Sequence, residues 1–151
     1  MMTINSFGKS RLKLCAVLIL ACIYWIMAVT AARNNSATYD EPAHIACGIG
    51  CLHNDYRLLI ANGQLAQRLA AFPYLFMHPV FPSVDDKVWL DSEQYSVGDS
   101  FLFKCGNDAQ RLLLAGHMMI ALLGVALALL VYVCSNPWQT CSRPSPTLAR
   151  L

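Results

Sequence analysis

A chain of 151 residues with 11 basic and 9 acidic side chains, 13% charged and 56% hydrophobic, has a mean hydropathy of +0.44. That is too little charge for a disordered tail or a nucleic-acid-binding arm, and no nucleic-acid partner is expected. The length allows one ordinary domain at most, and the hydrophobic share, above the roughly 45–50% of soluble domains, is bunched rather than spread.

Residues 1–13 carry Lys9, Arg11 and Lys13 ahead of an uncharged stretch of 19 residues, Leu14 to Ala32. A helix rises about 1.5 Å per residue and needs about 20 apolar residues to cross a bilayer core, so 14–32 is a predicted transmembrane helix. A cleaved signal peptide competes for this segment, with small-residue sites near Val29 to Ala31, but its apolar core exceeds the usual ~7–15 residues. Leu112 to Cys134 is a second apolar stretch, of 23 residues, and predicts a second span over 112–134.

All nine acids lie in the 79 residues between the spans, with six of the bases, whereas the flanks hold only bases, including Arg143 and Arg150 in the 135–151 tail. Basic residues near span ends mark the cytoplasmic side. Both termini are therefore expected in the cytoplasm of a multi-pass inner (plasma) membrane protein, with 33–111 as an extracytoplasmic loop. Cys47, Cys51 and Cys105 would face an oxidising side, where a disulfide can form.

Within the loop, Asn34, Asn35 and Ser36 break the first helix. Thr38-Tyr39-Asp40-Glu41-Pro42 then reads as a helix start, because Asp40 or Glu41 can cap and Pro42 suits the first helical position. A surface helix over 42–52 would align Ile45, Ile49 and Leu52, with Ala46 and Gly48 alongside. A second, over 64–72, would set Leu65, Leu69 and Phe72 opposite Gln67 and Arg68, and end at Pro73. Irregular chain follows to Asn107-Asp108, which is expected to cap the second span. The predicted fold class is thus an all-α membrane protein: two transmembrane helices joined by an extracytoplasmic loop with two short interfacial helices.

The Asp-Glu pair stands about eight residues beyond the first span. A carboxylate there could take a proton from a hydroxyl or help hold a divalent cation, which is the one cofactor candidate. Read alone, acids at a helix start are ordinarily caps that complement the helix dipole. His44, Cys47 and Cys51 share a helix face in a spacing that resembles metal ligands, though small Cys, Ala and Gly residues equally suit close helix packing.

Larger runs are more specific. Thr38-Tyr39-Asp40-Glu41-Pro42-Ala43-His44-Ile45-Ala46-Cys47-Gly48, Asp55-Tyr56-Arg57-Leu58, and Leu65-Ala66-Gln67-Arg68-Leu69-Ala70-Ala71-Phe72-Pro73 resemble the first extracytoplasmic loop of GT-C membrane glycosyltransferases. These are relatives of protein O-mannosyltransferases and aminoarabinose transferases, in particular a bacterial dolichyl-phosphate-mannose-mannosyltransferase-like branch. The likeness continues through Phe101-Leu102-Phe103, Gly106-Asn107-Asp108, Arg111-Leu112-Leu113-Leu114 and Leu122-Leu123-Gly124, and covers about residues 12 to 134. It implies inverting transfer of a sugar from a polyprenyl-phosphate donor to an acceptor hydroxyl. Asp40 would be the general base and Glu41 its neighbour, orienting the acceptor or a cation; His44, Arg57 and Arg68, in the matched runs, become candidate substrate-binding residues.

Some positions depart from that pattern. Asn62-Gly63-Gln64 stands where relatives carry a Pro-Pro pair, and His117 where they commonly place an Arg. An intramembrane His is a functional candidate by default, although one six residues from Arg111 also suits a partly solvated interface. Two spans are far fewer than the roughly ten of the family, so the chain is expected to be the front of a truncated enzyme, inactive alone, or to act with partner helices. The competing expectation is a small two-span protein with a structural or assembly role, whose Gly124-x-x-x-Ala128 face would pack on another helix.

Overall fold

The structure, a computed structural model, describes residues 4–58 and 64–141, with side chains for 11–58 and 64–135. The Asn62-Gly63 turn and the charges at Arg143 and Arg150 lie outside the described residues. Helices follow one another along the chain: α1 (Ile4–Asn34), α2 (Glu41–Leu52), α3 (Gln64–Ala71), α4 (Tyr74–Met77), α5 (Lys87–Leu90), α6 (Gln94–Asp99), a π-helical turn (Ser100–Lys104) and α7 (Ala109–Cys141). No strand occurs among the described residues, and the all-α reading holds.

Two helical stretches, Arg11–Asn34 and Ala109–Ser135, are long and apolar enough to cross a membrane. Only 11% and 6% of their most apolar windows is buried within the protein, and Leu20, Met27, Leu127 and Val131 are among the large side chains left exposed along them.

The chain divides into two compact units, residues 1–25 with 123–151, and residues 26–122. In the first, Gly124 faces the ring of Tyr24 so closely that an added Cβ would sit 2.6 Å from the phenol oxygen. The small-residue face that the sequence offers for helix packing is thus used at Gly124 by an aromatic ring of this chain.

The second unit is built around α2. Seven of its residues are buried, Ala43 and Ala46 to Cys51, so α2 is enclosed by protein rather than laid along a surface. Gly48 permits this: an added Cβ would lie 2.7 Å from both Ala71 Cβ and the Gln67 carbonyl of α3. Gly98 of α6 is closer still to Pro42, whose carbonyl occupies the space a Cβ would need. Small residues let backbones approach where larger side chains would separate the helices, as the run of Ala, Cys and Gly suggests. Trp89, Tyr74, Phe101, Ile49, Leu58 and Leu102 fill the surrounding core.

The second predicted surface helix is found over Gln64–Ala71, with Pro73 opening the short α4. Its orientation differs from expectation: Gln67 and Ala71 are buried, whereas Leu65 and Phe72 are exposed. Phe72, Leu75 and Phe76 together leave an apolar surface on this corner. The expected irregular chain beyond it contains α5, α6 and the π-helical turn, each too short for its periodicity to register in sequence.

Side chains fix the ends of the long helices. Asp108 Oδ1 accepts the Arg111 N–H at 3.1 Å, the predicted cap of α7. Asn107 instead clamps the loop, accepting the Val80 N–H at 2.8 Å and donating to the carbonyls of Val80 and Phe101 at 2.8 and 2.7 Å. Gln110 donates to the Arg33 carbonyl at 2.9 Å, satisfying an orphan acceptor in the last turn of α1.

Candidate functional site

The start of α2 places two adjacent carboxylates in two different environments. Asp40 occupies the N-cap position, but its side chain makes no capping hydrogen bond. It is exposed, and its Oδ1 accepts the Tyr95 hydroxyl at 3.3 Å. Glu41, one residue on, turns toward α7: its Oε1 lies 2.5 Å from His117 Nε2, and its Oε2 accepts the Thr38 N–H at 2.8 Å. Ordinary capping therefore does not account for Asp40, whereas Glu41 does stabilise the turn that enters α2.

Beside Asp40 is a cleft of 350 Å³ with the aromatic walls of Tyr39, Tyr95 and Phe103. The Tyr39 and Tyr95 rings are tilted at 37° with centroids 5.3 Å apart, and Tyr39 is 83% exposed. Desolvation first, and the Asp40 carboxylate second, hold the Tyr95 hydroxyl above its ordinary pKa, which keeps it a donor to Asp40. Asp99, also on this cleft, is paired with Lys104 at 2.7 Å.

Beside Glu41 is a cavity of 390 Å³ of different character. Its walls are apolar, from Ala66 and Ala70 of α3 and Leu113, Gly116 and Ile120 of α7, and its polar groups are Glu41, His44, Gln67, Tyr74 and His117. Gln67, the polar residue that α3 buries, has its Nε2 2.9 Å from His44 Nδ1, while its Oε1 has no partner. His117 Nδ1 likewise has none. Tyr74 donates to the Leu112 carbonyl at 3.3 Å, and burial, with the Glu41 charge second, pushes its hydroxyl pKa upward.

Of the residues singled out in sequence, Glu41 and His44 share one cavity, and Asp40 is hydrogen-bonded to Tyr95, a wall of the neighbouring cleft, without lining that cleft itself. Arg57 and Arg68 line neither. Arg57 grips Asp55 at 2.5 Å, and Arg68 is on the exposed face of α3. His117 and Gln67 complete the cavity. His117 was legible only as an intramembrane histidine, and Gln67 only as part of a matched run on the expected polar side of its helix, because nothing in a short amphipathic pattern says that a helix will turn a glutamine inward.

The residues do not assemble a cation site. Asp40 and Glu41 engage different partners, and His44 bonds Gln67 while the Cys47 thiol donates to the Leu58 carbonyl. Among the described residues there is no group of three His, Cys, Asp or Glu side chains able to hold a metal ion. Cys47 and Cys51 are buried and Cys105 half-buried, with no disulfide among them.

Compared with protein-family models, with curated proteins and with solved structures, the chain matches none.

Proposed function

We propose that the chain is a module of an integral-membrane glycosyltransferase of the GT-C kind, embedded in the inner (plasma) membrane with both termini cytoplasmic and residues 33–111 outside. The observation that carries this reading is the placement of Asp40 and Glu41, adjacent in sequence, beside two unlike spaces: an exposed aromatic cleft and an apolar cavity against α7. A transferase that joins a lipid-borne sugar to a water-borne acceptor needs these two environments next to one base.

In this mechanism Asp40 removes the proton from an acceptor hydroxyl while Tyr95 orients the carboxylate. The freed oxygen attacks the anomeric carbon from the face opposite the lipid phosphate. The carbon–oxygen bond to that phosphate breaks, and polyprenyl phosphate leaves with inversion at the sugar. Tyr39 and Tyr95 offer the acceptor apolar faces with polar edges. Among the described residues no Lys or Arg lines either space, so in this reading the leaving phosphate takes its counter-charge from further membrane helices, and the module is inactive alone.

The test uses membranes of cells carrying the full chain at its natural level, assayed with a radiolabelled polyprenyl-phosphate sugar. Deleting the chain should remove one transfer activity, and Asp40→Asn should abolish the same activity while leaving membrane insertion intact. Undiminished transfer with Asp40→Asn removes Asp40 from the role of base; no loss on deletion rejects glycosyl transfer itself.

A further inference from the structure

The apolar cavity carries an inference that does not depend on glycosyl transfer. Four of its side chains form two hydrogen-bonded pairs, His44 with Gln67 and Glu41 with His117, and each pair leaves one polar atom without a partner: Gln67 Oε1 and His117 Nδ1. Gln67 is 6% exposed. Buried polar groups are almost always hydrogen-bonded, so two free polar atoms in residues lining one cavity offer bonding positions to a ligand.

The network assigns the chemistry of that ligand. Gln67 donates through Nε2 to His44 Nδ1, so its free atom is an acceptor. His117 Nε2 is engaged by the Glu41 carboxylate, which leaves Nδ1 as the free ring nitrogen. Gln67 Oε1 accepts; a hydroxyl can donate to it and can pair with His117 Nδ1 in either protonation state, and the described lining carries the Glu41 carboxylate and no Lys or Arg. In this chain by itself an anionic head group meets the Glu41 carboxylate and would need the counter-charge that the proposed enzyme draws from further helices, whereas a hydroxyl pairs with the groups already present. The remaining walls are alanine, leucine, isoleucine and glycine from α3 and α7. A volume of 390 Å³ falls in the range of small-molecule sites, roughly 300–1,000 Å³. Leu113, Gly116, His117 and Ile120 belong to the part of α7 that is apolar enough to cross a membrane, so an aliphatic chain can reach the cavity without entering water.

We propose that this cavity binds a neutral amphiphile, an aliphatic chain ending in a hydroxyl, with the hydroxyl donating to Gln67 Oε1 and the chain lying against α3 and α7.

The full chain, reconstituted in phosphatidylcholine nanodiscs, is exposed to a diazirine-bearing dodecanol, and cross-links are mapped by mass spectrometry. They should fall on 64–74 and 113–120. Unlabelled 1-dodecanol should displace the probe at a concentration about tenfold below that of dodecane or dodecyl phosphate, the ratio expected for one hydrogen bond of ordinary strength. Gln67→Leu should raise the dodecanol concentration needed by about five- to tenfold. Ile120→Trp, which fills the apolar part of the cavity, should remove capture and serves if Gln67→Leu fails to fold. Equal competition by dodecane would show apolar partition only, and stronger competition by dodecyl phosphate an anion site. Either result overturns the proposal, as do capture unchanged by Ile120→Trp or an unchanged displacement curve in folded Gln67→Leu.

Discussion

Asp55 is held by partners from both near and far in the chain. Arg57 donates to it from Nε and from a terminal guanidinium nitrogen, the latter at 2.5 Å, and the fully buried Trp89, 34 residues away, donates its indole N–H at 2.8 Å. These bonds, Arg57 first and Trp89 second, pull its pKa well below the usual carboxylate range. A carboxyl with a folded-state pKa below its unfolded value stabilises the fold above the unfolded value, about 3.9, and loses that contribution as pH falls below it. The difference in unfolding midpoint between the parent and Asp55→Asn should therefore be largest near neutral pH and shrink below about pH 4, read by thermal unfolding in detergent. Asp55→Ala should cost about 1–3 kcal/mol at neutral pH, since it strands the indole N–H in the core. Asp55, Tyr56 and Arg57 stand out in sequence only as part of a resemblance; their engagement with Trp89 crosses a loop whose path no local pattern predicts.

The elements owe their contacts to a few small residues. In α6, Gly98 abuts the Pro42 carbonyl at the entry to α2, and α6 also carries Tyr95, the partner of Asp40. Gly98→Ala places a methyl group where that carbonyl lies, so backbone must shift. The substitution should lower stability by about 1–3 kcal/mol, as overpacking does, and loosen the Tyr95 contact with Asp40. Thermal unfolding measures the first effect. For the second, the pH titration of Tyr95 followed by its ultraviolet absorbance should move toward the ordinary phenol value of about 10; an unmoved titration with lowered stability would separate α6 packing from Asp40. Element positions were largely readable: α2 and α3 lie within a residue of the predicted 42–52 and 64–72. Their facing was not. With Ala, Cys and Gly on most sides, α2 can be buried on most sides, and α3 turns Gln67 inward because His44 offers it a partner.

For the whole molecule, the charge distribution sets the proposed membrane topology, with basic flanks around an acid-rich connection. Ser83→Cys, on an exposed loop position, should react with a membrane-impermeant maleimide in intact cells, while a fluorescent protein fused to the C-terminus should stay in the cytoplasm and fluoresce. Labelling of Ser83→Cys only after the cells are opened would reverse the orientation. The sequence by itself determined the helical class, the two apolar stretches and the start of α2, because each follows from length, periodicity and residue type along a single segment. Only the tertiary structure decided that Asp40 and Glu41 part to different spaces, and that Glu41 meets His117, 76 positions away. A contact of that separation is set by how helices stack around Gly48 and Gly98, and packing geometry is not written in any local pattern.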